Sequence, residues 1–339
     1  MAGRPAADAV VRATSQVHFR LIGGDHGIRK QGMRHKQGMR HAMHHCLGPG
    51  WQMILAVLCA WGCMTTAGWA FLPGEERPKK LLAYSGGADD SGGEEGLYGD
   101  RIVTDRPHLA EAASTVGLGR VQVENGYTYF LDHSAGTTSQ LHSFPETLVR
   151  AGVFQEWFEL RVQYNAFAET ATGPAGSFSA SGSDDLYLGA KVALAAQSGI
   201  LPELTIFPQM RVPTGSPAFT SDEVLPGMNF VYAWRVGERT EIECNTNVNR
   251  RRNPAAAGYY TEYLQTFNFE YDLGPRVMLF NEFAIFAQVG GVGVAQQAYS
   301  HGGLHWFLLP NLQIDVHAAV GLNEAAADLF GGSGISWRW

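Results

Sequence analysis

The sequence predicts an all-β protein, a single closed antiparallel transmembrane β-barrel of about twelve strands. Three observations predict it. Apolar and polar residues alternate almost continuously from residue 119 to the last residue, the period-2 mark of strands with one oily and one wet face. The connections alternate between long Gly/Pro/Ser-rich stretches and short ones, the rhythm of outer loops and tight periplasmic turns. The charged residues of these segments fall on the wet face. In hydrocarbon every backbone donor and acceptor must pair within the protein, and strands achieve this only when the sheet closes. A soluble β-sandwich shares the alternation but not the loop rhythm.

Composition removes other classes. No run of eighteen uncharged apolar residues occurs, which excludes a helical membrane protein. Residues 1–70 hold eight Lys/Arg and two Asp/Glu, leaving 17 basic and 30 acidic residues and a net charge of −13 beyond them. Such a surface repels nucleic acid. Cys46, Cys59 and Cys63 lie in the amino-terminal segment and Cys244 stands alone after it, so the mature chain forms no internal disulfide.

In chain order, residues 1–50 are basic and His-rich, with Gln31–Lys36 nearly repeated at Gln37–Ala42. His41, His44 and His45 allow a metal-binding tract; an extended basic n-region is the plainer reading. Met53–Met64 is an apolar h-region too short to anchor in a bilayer. Gly68-Trp69-Ala70 offers small residues for a signal peptidase, and cleavage after Ala70 is expected. Residues 1–70 are therefore a basic leader and signal peptide, which directs the chain to a bacterial outer membrane. Residues 71–100, with Gly-Gly-Ala-Asp-Asp-Ser-Gly-Gly-Glu-Glu at 86–95, are expected to form a disordered acidic periplasmic segment.

The barrel is expected over 101–339. Val121, Val123, Tyr127, Tyr129 and Leu131 oppose Gln122, Glu124 and Thr128. Phe158, Leu160, Val162 and Tyr164 oppose Glu159, Arg161 and Gln163. Ile242, Cys244 and Val248 oppose Glu241, Glu243 and Asn247, and Leu312, Ile314, Val316 and Val320 oppose Gln313, Asp315 and His317. Strands at 143–152, 186–194, 200–212, 228–236, 263–271, 277–289, 298–309 and 335–339 complete the set. Long connections are expected at 132–141, 167–184, 213–224 and 250–257, and the glycines of 290–305 blur the register there.

Charges on the polar face cannot meet lipid cheaply, since Arg or Lys at the bilayer midplane costs ~2–4 kcal/mol. Glu124, Glu159, Arg161, Lys191, Arg211, Arg235, Glu241, Glu243, Glu282, Asp315 and His317 are therefore expected to line the lumen. Their mixed sign suggests ion pairs across the bore. Tyr232, Trp234, Tyr271, Trp337 and Trp339 read as girdle residues at the membrane interface, and the closing strand ending on Trp339 as the signal read by the barrel assembly machinery.

With the strands placed, the motifs resemble a known group. Thr104-Asp105-Arg106-Pro107, Glu111, Gly119–Tyr127, Asp185–Lys191, Arg211-Val212-Pro213-Thr214-Gly215 and Leu312–Asp315 through Gly321-Leu322-Asn323 are similar to those of outer-membrane transporters of the meta-pathway of phenol degradation family. The resemblance spans about 101–339 and implies uptake of small, often aromatic, molecules, with no catalytic residue and no cofactor to transfer.

Three functional readings follow. A passive channel for small molecules would use the inward charges for selectivity. A structural or surface-binding barrel would use Arg250-Arg251-Arg252 to pair with lipid phosphates. A membrane-embedded hydrolase would need a serine, a histidine and an orienting group together. His133, His142, His301, His305 and His317 with Ser139, Ser143 and Ser300 supply the residue types, but no spacing singles out a nucleophile. The scattered histidines likewise name no metal site, so no catalysis, metal or cofactor is expected.

Overall fold

The computed structural model describes residues 80–83, 101–134, 136–253 and 256–339. The leader, the cleavage site at Ala70 and all of 71–100 except 80–83 lie outside the described residues. The strands are β1 (Val121–Ser134), β2 (Thr137–Gly152), β3 (Phe158–Gly173), β4 (Gly176–Ser183), β5 (Leu186–Ala195), β6 (Glu203–Val212) and β7 (Leu225–Val236). β8 (Thr240–Arg252), β9 (Tyr259–Gly274), β10 (Val277–Val289), β11 (Gln297–Leu309), β12 (Leu312–Gly321) and β13 (Leu329–Arg338) complete the sheet.

β1 pairs with β2, β2 with β3 and β3 with β5, and each later strand pairs with the next; β13 then pairs back onto β1, every pairing antiparallel. The ring is a closed twelve-stranded barrel, the count the alternation predicts, and β4 is additional. β4 and β5 lie on the same edge of β3, opposite Ala166–Gly173 and Phe158–Gln163 respectively. They run as one strand interrupted at Asp184-Asp185. At the closing seam Val121 and Trp339 exchange two backbone hydrogen bonds of 2.9 Å.

Two expected loops are strands instead. β1 and β2 continue to Ser134 and from Thr137, and β3 and β4 form a hairpin turning at 174–175. These extensions are rich in Thr, Ser and Ala. Backbone pairing persists there although the apolar alternation that marks a lipid-facing strand has faded. The Arg250–Arg252 run is the end of β8. Arg251 pairs with Glu262 at 2.9 Å, Arg250 lies over the Tyr259 ring and Arg252 donates to the Ser221 carbonyl. In 290–305, Gly302 and Gly303 sit inside β11. A Cβ at Gly303 would stand 2.2 Å from the Val316 carbonyl oxygen, so the glycine permits a close backbone approach there.

The faces are the reverse of a soluble protein's. Leu160, Phe230, Phe269, Leu279, Phe283, Val316 and Ile335 are exposed, whereas Arg150, Glu159, Lys191, Asn229, Thr266 and Gln313 are buried. Trp337 packs on Trp339 and Tyr232 on Trp234 near the short-turn end. The Trp234 indole donates to the Ile200 carbonyl at 2.8 Å, which satisfies the polar tip of a residue whose ring faces outward.

Residues 101–118, outside any strand, occupy the interior. The Ile102 amide donates to the Pro310 carbonyl (2.6 Å) in the β11–β12 turn, and the Thr115 hydroxyl donates to the Glu156 carbonyl (2.6 Å) in the β2–β3 turn. Between these points Thr104, Asp105, Ala110 and Ala112–Val116 are buried. The segment thus enters and leaves at the short-turn end. Its exit is tight: a Cβ at Gly152 would lie 1.7 Å from the Gly117 carbonyl oxygen. Gly152→Ala is expected to displace this exit and lower stability by about 1–3 kcal/mol. The measurement is the urea midpoint of the folded, heat-modifiable form in detergent, and an unchanged midpoint would show that the backbone yields freely.

Candidate functional site: the occupied lumen

A segment without regular structure has to find partners for its own amides and carbonyls. Inside the barrel they come from inward side chains of the wall. Glu124 accepts from the amides of Asp105 and Arg106, Glu282 from those of Leu109 and Ala110, and Glu159 from that of Val116. Asn245 accepts from the amide of Glu111, and Lys191 donates to the carbonyls of Ala112 and Ser114, both at 2.8 Å. Apolar contact adds to these bonds: Ile102, Ala110, Ala112 and Val116 are buried, and Ala113 packs on Phe207, Val231 and Ala233.

At the centre is a buried charge cluster. The Asp105 carboxylate lies 3.2 Å from Arg150, 2.9 Å from Arg161 and 3.5 Å from Lys191, and accepts from the Ala112 amide at 2.9 Å. Arg150 also reaches Glu124 (3.1 Å) and Glu159 (2.8 Å), and Arg161 reaches Glu111 (2.7 Å). Burial alone would raise the Asp105 carboxyl; Arg150, then Arg161 and Lys191, outweigh it and hold the group well below the usual carboxylate range. For Glu111 burial prevails over Arg161 and pushes the carboxyl up.

Of the charges expected to face inward, Glu124, Glu159, Arg161 and Lys191 are in this cluster. Asp315 is buried 3.7 Å from Arg106, which also pairs with Glu146 at 2.5 Å. Glu282 is bonded to His301 at 2.8 Å and His301 to His317 at 3.0 Å. Glu243 is buried on β8, level with Asn268 of β9. The remaining three lie towards the strand ends: Arg235 and Glu241 are 3.8 Å apart beside the β7–β8 turn, and Arg211 pairs with Asp184 at the far end of β6.

Reading strands alone misses Asp105, His108 and Glu111, because they belong to the patternless segment; it places Glu270 on a polar face and Arg150 in a strand without singling out either. The Thr104–Pro107 motif was the available signal, and it forms the start of the inner segment. A second grouping is invisible in the sequence: His108 of the segment meets His305 of β11 (Nε2 to Nε2, 3.0 Å) and Glu270 of β9 (3.3 Å). Burial pushes the His108 imidazole well down, and His305 and His301 add to the effect. His133 and His142 bond to Asp328 and Tyr127. None of Ser139, Ser143 and Ser300 hydrogen-bonds a histidine among the described residues.

Two further features shape the interior. Above the segment, Leu264, Phe286, Tyr299 and Phe330 form an apolar patch on one wall, with Leu109 and Phe130 packed against it. At the long-loop end, Asp185 accepts from the Gly215 amide (3.1 Å) and from the Ser221 amide (2.8 Å) and hydroxyl (2.5 Å). Asp185 and the Pro213-Thr214-Gly215 motif therefore meet as one clasp on the 213–224 loop. Asp185→Ala removes three acceptor contacts and is expected to free that loop. Limited proteolysis of the folded protein should then cut within 213–224 at least ~10-fold faster, and equal cutting would mean that the loop is held otherwise.

A family model described as "Putative MetA-pathway of phenol degradation" matches residues 104–339. No curated protein matches the chain. Among solved structures, an outer membrane channel from Pseudomonas putida F1 is similar at 13% identity, with a TM-score of 0.53 over 67% of this chain and 98% of that one. The NanC porin follows at 9% identity and a TM-score of 0.41 over 64% and 98%. The translocator domain of the autotransporter NalP from Neisseria meningitidis stands at 14% and 0.43 over 66% and 88%. The first of these likenesses is a likeness of the barrel fold.

Proposed function

Because this chain belongs to the family of the MetA-pathway of phenol degradation, we propose that it is an outer-membrane channel for small, partly apolar molecules, aromatic ones included. The observation that carries the reading is the asymmetry of the interior. A twelve-stranded ring is wider than the eight-stranded barrels that side chains fill. Here the space is taken by residues 101–118, held by polar bonds to inward residues, with Lys80 also buried against Glu203 at 2.7 Å. Such a filling is a constriction that can move. Above it, Leu264, Phe286, Tyr299 and Phe330 are buried, packed with Leu109, Ala326 and Ala327; displacement of the segment would uncover them as an apolar wall, with Glu124, Glu159, Arg161, Lys191, Glu282, Asp315 and His317 as polar guides below.

A signal peptide over 1–70 would export the chain, and Trp339 at the closing seam would present the last strand to the barrel assembly machinery. A second reading has its own support: the burial of Asp105, Arg150 and Lys191 is what a permanently closed, structural barrel would show. Liposome swelling decides between them. Proteoliposomes should swell in small aromatic solutes faster than in sugars of equal size, and swelling no faster than in protein-free vesicles would leave the structural reading.

A further inference from the structure

We infer that His108, His305 and Glu270 form a site for a divalent transition-metal ion of the zinc class, and that the ion fastens the inner segment to the barrel wall. The three residues come from the segment, β11 and β9. The imidazole Nε2 atoms are 3.0 Å apart, the Glu270 Oε1 is 3.3 Å from that of His108, and all three ligand atoms lie within 4.8 Å of one another. Tetrahedral zinc with bonds of about 2.0–2.1 Å separates its ligand atoms by roughly 3.3 Å, so two of the three edges are already near their bound length.

The surroundings suit such an ion. Among the described residues the His108 Nδ1 has no hydrogen-bond partner, and the Gln313 side chain acts on the His305 ring, so the proton of each ring can sit on Nδ1 and leave the Nε2 lone pair free. Phe280 stands edge-on to both rings and Phe307 stacks on His305 at 9°, which fixes their planes. Glu270 is buried, accepts from the Asn268 amide group at 3.1 Å, and has no Lys or Arg at ion-pairing distance among the described residues. Arg101, whose charge reaches Glu270, is itself paired with Asp272 at 2.7 Å, so a divalent cation would supply the close counter-charge. Two nitrogens and one oxygen favour zinc, cobalt or nickel over calcium or magnesium, and three protein ligands leave a fourth position open.

The site stands apart from the channel reading and is tested without it. The purified full chain, stripped with a chelator, is titrated calorimetrically with Zn²⁺ in detergent. His108→Gln and His305→Gln should each weaken one site by roughly 100-fold, and His142→Gln, on the outer face, should leave it intact. The difference between wild type and His108→Gln isolates this site from the His41–His45 tract. His108 lies outside the strands, so its replacement leaves the ring of strands to fold. Hydrogen exchange at 105–113 should slow on adding Zn²⁺ to the wild type and not to His108→Gln. Equal Zn²⁺ affinity in wild type, His108→Gln and His305→Gln would reduce the group to a hydrogen-bonded imidazole pair and overturn the site. Binding with unchanged exchange would overturn the fastening.

Discussion

Asp105→Ala is expected to unlatch the inner segment and raise single-channel conductance in a planar bilayer several-fold. Asp105 is the one carboxylate of the segment that meets three wall cations, Arg150, Arg161 and Lys191. Removing one partner of a buried ion pair costs about 3–5 kcal/mol, because the other charge is left uncompensated. The wall strands keep all their backbone pairing, so the loss falls on the segment rather than on the barrel. Asp105→Asn preserves the shape and an acceptor for the Ala112 amide, and should act in the same direction to a smaller extent. Conductance equal to wild type in both variants would show that the segment does not set the bore.

The same interaction has a pH signature. The folded Asp105 carboxyl is held below its unfolded value, so its contribution is complete above the ordinary carboxylate pKa of ~4. It is lost only as pH falls through the lower, folded value. The latch is thus expected to hold through mild acid.

Arg150→Met should have the largest effect on the fold itself. Arg150 is fully buried and bonds Asp105, Glu124 and Glu159 together with the carbonyls of Val103 and Ser114. Methionine keeps much of the volume and none of the donors. Three carboxylates then crowd one dry region, and a loss of about 3–5 kcal/mol is expected, read from urea unfolding of the folded protein in detergent. Adding Glu159→Gln should recover part of it, since the two residues share one network. A loss below ~1 kcal/mol for Arg150→Met would mean that water reaches the cluster and screens it.

The barrel was legible in the sequence because lipid leaves few choices. Ile242, Glu243 and Cys244 read outward, inward and outward from alternation alone; in the structure Glu243 is buried level with Asn268, and Cys244 is also buried, level with Tyr232 and Phe267 of the neighbouring strands. The hairpin ends of β1–β2 and β3–β4 were not legible, since Thr and Ser are compatible with both loop and strand once no lipid enforces a contrast. The inner segment was hidden for a deeper reason. His108 and His305 are 197 positions apart, and only the curvature of the closed sheet brings β9 and β11 around one residue of a patternless stretch. The motif Thr104–Pro107 marked that stretch as distinctive, but no periodicity says that Asp105 will be surrounded by Arg150, Arg161 and Lys191.

The segment's path has a mechanical corollary. Both of its ends sit at the rim of the short turns, beside Pro310 and Glu156, so it lies in the cylinder like a tongue folded back on itself rather than a thread drawn through. Its withdrawal by that route would unzip none of the staves. If the proposed channel opens this way, the bonds that exchange partners are those of the segment's side chains and the Ile102–Pro310 backbone bond, while the hoop around them stays whole.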